Sequence, residues 1–502
     1  MNDEFVKIVE RDESVLFVTL ISRGLQRERF RRGLGWDCGI AQHKYEKGAH
    51  FISRPDFAGI RMLVSEGIKS DQQFLKRYID RCHTQGSGLI NVARELAVLP
   101  ADLGRDRLID QFVRFCETTK DTLPSMLATV VVENCLEPIV LASLAREVGG
   151  PDAEKRARMI LPDLLVPLEQ TEAAKEIRSC YELALAVLAV PPLTVAMRDQ
   201  SVEVCLETIE GSYPEISGAI STHLQQYGWL RTHGYRFEPL TNRELVERLQ
   251  VIIRRWDRDK IGAIVAKRDL FDLRVVLGFP PSPQLADLVQ QLRHLINLRF
   301  FRIDVHLRAD VIARPFMHQV AHALSCSRDE LIFASEDEII EALRLKQHFP
   351  KEKVIDRARN WFAVYRNDDQ LEVASYVTPF REVEAQPAGN RVLTGTAACL
   401  GRARGKAKVV FAAPEMGKVD IGDILVTTMT TPDLMLAIEQ AAAIVTDEGG
   451  ILSHAAIISR ELGIPCVIGT GNATCTFRDG DYLDVDANEQ AGIVTRIYEA
   501  SP

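Results

Sequence analysis

The sequence predicts a multidomain protein of mixed α and α/β class, with a large, mostly helical N-terminal domain followed by a smaller C-terminal β/β/α domain. Three observations carry that reading. Up to about Asp337 apolar residues recur at spacings of three and four, the period of one helix face, as between Leu240 and Trp256. Around Pro387, Gly389 and Asn390 the chain becomes polar and turn-rich. Beyond that joint, short β-branched runs alternate with helical segments closed by glycine or proline.

Taken in order, residues 1–379 read as the helical domain. Gly149-Gly150, Pro191-Pro192, Pro214 and the Pro280 to Pro283 cluster mark helix ends inside it. Ser335 with Glu338 three residues on is a capping box: a hydroxyl for an orphan amide and a carboxylate reaching back to the cap. Aromatic and β-branched residues then increase towards Thr378, and residues 380–392 read as a linker. In the 393–502 domain, strands are expected at Lys408–Phe411, Asp423–Thr427, Ala443–Thr446, Cys466–Gly469, Tyr482–Val485 and Gly492–Thr495. Helices are expected at Pro432–Ala442 and His454–Leu462.

Composition bounds the function. The 502 residues are 46% hydrophobic and 26% charged, and 61 basic against 70 acidic residues leave a net charge of -9. A field of that sign repels polyanions, so nucleic acid is not an expected partner. The apolar stretch Leu183 to Met197 is interrupted by Pro191-Pro192 and is too short for a membrane span, so none is expected. Ten scattered cysteines without a C-x-x-C pair, and no secretory leader, point to a reduced, cytoplasmic setting.

Chemistry concentrates between Thr446 and Pro465, TDEGGILSHAAIISRELGIP. Gly449 and Gly450 let the backbone approach a ligand, and the unpaired amides of the next helix favour an anion beside His454. A neutral imidazole there has a lone pair near pH 7 and can accept a phosphoryl group as nucleophile. The same residues also suit a plain helix start, with Ser453 as cap and His454 packed at a strand-to-helix corner.

The motif G-G-x-x-S-H-A-A-I-x-x-R-E-L-G-I-P resembles the phosphohistidine swivelling, or mobile, domain of phosphoenolpyruvate-utilising enzymes, over about Gly395 to Ile497. Gly395, Gly401, Gly422-Asp423, Thr431-Pro432-Asp433, Gly480-Asp481 and Val485-Asp486 fall in the same order. The resemblance implies that His454 carries phosphate, with Gly449, Gly450, Ser453 and Thr431 framing the phosphoryl group. Two positions depart from the pattern: Ser459 stands for a usual alanine, and Ala487 to Ala491 replaces a tight glycine turn.

More loosely, the helical part is similar to the substrate-side domain of rifampin phosphotransferase-like proteins, through residues 223–229, Arg299, Arg302 and Arg308, and residues 327–333. No ATP-grasp segment and no G-x-x-x-x-G-K-[ST] loop is recognised. The resemblance therefore implies a phosphotransferase component. It would take its phosphoryl group, with Mg²⁺, from an ATP-grasp-like nucleotide-binding or a phosphoenolpyruvate-binding partner and deliver it to a small-molecule acceptor. The alternative is a non-catalytic regulatory protein using the domain as a docking module. Arg299 and Arg302 with His306 are weak candidates for an anion-binding patch, equally readable as an ion-paired face. Tyr227-Gly228-Trp229, Trp36 to Cys38 and His233 to Arg236 are candidates for a cavity wall. His318 and His322 lie one turn apart, but Gln319 removes the metalloprotease pattern and no metal site is expected. Self-association is left open.

Overall fold

The computed structural model describes the chain apart from residues 1–4, 11–12, 47, 165–167, 233–237, 267–272, 346–348, 361, 368–369, 376–391, 451–452, 489–490 and 498–502. Nearly all of the expected linker, and the His233 to Arg236 cluster, lie outside the described residues. Val392 already belongs to a strand.

Two compact units form. Met1–Glu169, Thr232–Glu238 and Phe271–Glu382 make the first, and Gln170–Arg231, Pro239–Leu270 and Val383–Pro502 the second. A large helical part and a β-rich C-terminal part are both present, as expected, but the 1–379 stretch is shared between the units.

In the first unit the helices Phe74–Ala97, Arg105–Val148 and Pro283–Ala323 pack around a core that includes Leu16, Phe112, Phe115 and Phe316. Arg105–Val148 is by length and composition apolar enough to cross a membrane, a feature the sequence reading did not single out. Most of its apolar window is buried within this unit, where it serves as a core helix. Ser335 and Glu338 exchange both capping bonds, at 2.9 and 3.3 Å, and open the helix Glu336–Leu345.

This unit also holds an antiparallel five-stranded sheet that helical periodicity did not predict. Its strands are β1 (Phe5–Glu10), β2 (Gln42–Glu46), β3 (Ala49–Ser53), β4 (Phe362–Asn367) and β5 (Gln370–Ser375), in the order β1-β3-β2-β4-β5. Along β2 the inward residues are His43 and Tyr45, and with histidine scored as polar a single apolar position remains, too little for an alternation to show in a hydropathy pattern.

The second unit joins six helices of the 170–270 region to a closed seven-stranded barrel. The barrel consists of β6 (Val392–Cys399), β7 (Gly401–Val409), β8 (Ile424–Thr427), β9 (Ala443–Thr446), β10 (Cys466–Ile468), β11 (Tyr482–Ala487) and β12 (Gly492–Ile497), ordered β10-β6-β12-β11-β7-β8-β9. The run β7-β8-β9-β10 is parallel, and the other pairs are antiparallel.

The strands β8, β9 and β10 read as short apolar runs because both of their faces are covered. Ile424, Val426, Ala443, Val445 and Val467 fill the barrel, while Leu425, Ile444, Cys466 and Ile468 face a layer that also contains Ile438, Ile458 and Leu462 from the barrel's helices and Ile177, Leu249 and Ile252 from the 170–270 helices. That shared apolar layer is why residues 170–270 group with the barrel and not with the rest of the expected helical domain. Glycine is required where the barrel closes: a Cβ on Gly405 would lie 2.3 Å from the Gly422 carbonyl oxygen.

Candidate functional site

Beyond β9 the chain turns through Gly449, at φ +124°, and enters the helix His454–Leu462. A Cβ on Gly449 would stand 3.0 Å from Ser453 Oγ, so any side chain here would crowd the cap, whereas a Cβ on Gly450 would meet open space. Ser453, in extended backbone, accepts a hydrogen bond from the Ala456 amide at 3.3 Å and donates its own amide to the Gly450 carbonyl at 2.8 Å. The helix closes on Gly463 in the left-handed region. Ser459 is buried and donates to the Ala456 carbonyl at 3.1 Å, which satisfies the hydroxyl that replaces the usual alanine.

This geometry puts His454 at the first helical position with its two ring nitrogens in different settings. Nδ1 lies 2.9 Å from Thr430 Oγ1. Nε2 is buried without a hydrogen-bond partner among the described residues, and the ring forms part of the wall of a cavity of about 290 Å³. Burial pushes the imidazole pKa down to about 4, against the opposing pull of the Glu176 charge. The ring is therefore neutral at pH 7. In the tautomer in which Nδ1–H donates to the Thr430 hydroxyl oxygen, the lone pair sits on Nε2.

Thr431, the threonine expected to frame a phosphoryl group, precedes the short turn Pro432–Leu434 and hydrogen-bonds Asp433, whose carboxyl is raised by burial. It is the neighbouring Thr430 that reaches the ring. Asp447 is committed to the backbone: it accepts from the Thr474 amide at 3.0 Å and from the Thr474 hydroxyl, and so pins the segment after β10.

The opposite wall comes from the helices Glu172–Leu188 and Asn242–Arg255 and the turn Gly228–Arg231. Thr241 and Glu244 form a capping box that fixes the start of Asn242–Arg255. One helical turn later, the buried Arg248 meets Glu176 Oε1 at 2.5 Å and holds Glu439 with two bonds, at 3.1 and 2.7 Å. Glu439 belongs to the barrel's helix Met435–Gln440 and is wholly buried. Arg255 adds bonds to the Glu439 carbonyl and, at 2.6 Å, to the Ala441 carbonyl. Burial raises Glu176, but Arg248 and His223 outweigh it and bring its pKa down to about 2.

Of the cavity candidates read from the sequence, Tyr227 does line this cavity, while Trp229 is buried and donates Nε1–H to the Gln226 carbonyl at 2.7 Å. Trp36 stacks between Phe74 and Tyr78, with ring centroids 5.5 and 5.4 Å away, as core of the first unit.

Arg299 and Arg302 also belong to the first unit and serve helix packing. Arg299 pairs with Glu133 at 3.3 Å, Arg302 donates to the Met126 carbonyl, and the buried His306 lies 3.0 Å from the Thr122 hydroxyl. His318 and His322 are exposed on the helix Pro283–Ala323. Among the described residues no three His, Cys, Asp or Glu side chains converge as a metal site would require.

Sequence reasoning missed Thr430, Glu176, Arg248 and Glu439. Nothing local marks which of two adjacent threonines turns towards the ring. A charged residue on a helix reads as solvated until its partner, far away in the chain, is known.

Residues 419–490 match the family model described as PEP-utilising enzyme, mobile domain. Among curated proteins, the chain is 54% identical over 113 residues to a probable phosphoenolpyruvate synthase of Archaeoglobus fulgidus, covering 22% of this chain and 15% of that one. It is 40% identical over 178 residues to the phosphoenolpyruvate synthase of Pyrococcus furiosus, covering 34% and 22%. It is also 35% identical over 206 residues to the uncharacterized phosphotransferase YvkC of Bacillus subtilis, covering 38% and 24%. The matched part thus spans less than a quarter of the length of these relatives.

Proposed function

We propose that this chain is a phosphotransferase component in which His454 carries a phosphoryl group to a small-molecule acceptor, the reading in line with the mobile-domain match of residues 419–490. The observation that carries it is the state of one ring: neutral at physiological pH, held at Nδ1 by Thr430, with an unpartnered Nε2, on a residue that lines a cavity.

In the loading step, Nε2 attacks phosphorus, the Nε2–P bond forms, and the P–O bond to the donor breaks with its electron pair leaving on the donor oxygen. The proton stays on Nδ1, shared with Thr430. In the delivery step an acceptor hydroxyl oxygen attacks phosphorus, the P–Nε2 electron pair returns to the ring, and the hydroxyl proton is released. Helix-terminal amides beside His454 stabilise the arriving charge.

The donor is ATP or phosphoenolpyruvate held by a nucleotide-binding, ATP-grasp-like or phosphoenolpyruvate-binding partner. Mg²⁺ accompanies the donor phosphates, where it neutralises their charge. Among the described residues no cluster of three metal-ligating side chains offers the ion a cage.

The test is intact-mass measurement after incubation with ATP or phosphoenolpyruvate, with and without a candidate partner. One acid-labile phosphoryl adduct is expected, present in the unsubstituted protein and missing from His454→Ala. An adduct of equal yield in His454→Ala would reject His454 as the carrier.

A further inference from the structure

The cavity beside His454 has a charge pattern that selects its occupant. Four carboxylates (Glu176, Glu244, Glu247 and Asp433) line it against two guanidiniums, Arg231 and Arg248. Both cations are already engaged. Arg248 is divided between Glu176 and Glu439, and Arg231 is paired with Glu244, its charge falling also on Asp433.

The acids are unequally satisfied. Glu176 takes Arg248 and His223, Glu244 takes Arg231 and its capping bonds, and Asp433 takes Thr431. Glu247 has no hydrogen bond or ion pair with any described residue. It stands three residues after Glu244 and one before Arg248 on the helix Asn242–Arg255, half-buried in the cavity wall. The rest of the wall is largely apolar, with Ile177, Leu240 and Met435 contributing. An anionic acceptor would meet surplus negative charge and no uncommitted cation among the described lining residues. A cationic one would complete Glu247 and bury its carbon skeleton.

We propose that this cavity is the acceptor site and takes a compact amphiphilic alcohol bearing an ammonium group, the cation held by Glu247 and the hydroxyl presented to Nε2 of His454. The volume of about 290 Å³ is at the small end of ligand pockets, which suits a molecule of amino-alcohol size. The inference rests on reading His454 as the carrier and deepens that reading by naming the chemistry of the acceptor.

The experiment is isothermal calorimetry on the full chain with leucinol and phenylalaninol as probes, and with isohexanol, isocaproate and pyruvate as the uncharged and anionic comparisons. Both amino alcohols are expected to bind at least about tenfold more tightly than isohexanol, with no heat from the two anions. Glu247→Gln is expected to bring the amino alcohols down to the isohexanol level and leave isohexanol unchanged. Leu240→Trp, which fills the cavity, is expected to abolish binding of all three.

Isocaproate or pyruvate bound as tightly as leucinol, amino-alcohol binding unchanged in Glu247→Gln, or no binding of either amino alcohol at millimolar concentration would each overturn the proposal. Phosphoryl labelling of His454 is scored separately. Labelled His454 with failed amino-alcohol binding sinks only the acceptor chemistry. Binding that depends on Glu247, with His454 unlabelled by every donor, sinks only the carrier reading.

Discussion

Arg248→Met should be among the most destabilising single changes in the second unit. The guanidinium makes three bonds to two carboxylates, at 2.5, 2.7 and 3.1 Å, and all three side chains are nearly excluded from solvent, at 6%, 7% and 0% exposure. Methionine keeps the volume and apolar stem but leaves Glu176 and Glu439 buried without their cation. Removing one member of a buried ion pair costs about 3–5 kcal/mol, most of it the penalty of the stranded charge. That cost should largely vanish once the carboxylates are neutralised too, so Arg248→Met combined with Glu176→Gln and Glu439→Gln should recover at least half of it. The assay is urea denaturation of the full chain at pH 7, followed by fluorescence, with Trp229 and Trp256 reporting from this unit. A loss below about 1 kcal/mol in the single variant, or a triple variant no more stable than the single one, would refute the reasoning, because either result means water reaches and screens the cluster.

The neighbouring groups make further expectations. Thr430→Val removes the partner of His454 Nδ1 while keeping shape, so the initial rate of His454 phosphorylation should fall about tenfold and stability by about 1–2 kcal/mol; an unchanged rate in quench-flow or intact-mass time courses would discount the bond. His454 is depressed to about 4 in the fold against an ordinary value of about 6.5. The unfolded chain therefore takes up a proton that the folded one refuses, and the ring's contribution to stability is complete above pH 6.5 and lost as pH falls towards 4, by about 1.4 kcal/mol per unit at most. Denaturation curves for His454→Gln across that window should show a shallower loss than the parent. Gly405→Ala drives a methyl into the Gly422 backbone carbonyl, which cannot swing aside as a side chain would, and should cost about 3 kcal/mol or prevent closure of the barrel. Gly218→Ala, on a helix face with nothing within 4 Å, should instead raise stability slightly, by about 0.5–1 kcal/mol, as a thermal melt would read.

The barrel's helix and strands near the site were legible because their signals are local. Gly449, Ser453 and Gly463 set the start and stop of His454–Leu462, and the apolar runs at β8, β9 and β10 announce strands covered on both faces. The strand β6 was missed because Val392 to Cys399, with its small and hydroxylated residues, lacks such a run. The N-terminal sheet was missed for a related reason, its inward positions on β2 being held by His43 and Tyr45.

What the sequence alone determined is a candidate nucleophile and its seat: a histidine at a capped helix start after two glycines, in a segment whose order of residues resembles a known mobile domain. Caps, turns and periodicity act within a few residues and leave their mark in the string. What only the tertiary structure decided is which groups face that ring. Thr430 and not Thr431 takes Nδ1, Arg248 is drawn between two carboxylates 72 and 191 residues away, and Glu247 is left with no described partner in the wall of the cavity that His454 also lines. Those relations depend on burial and on charges brought together across the chain, and Coulomb and desolvation energies follow distance in space, which spacing along the sequence does not encode.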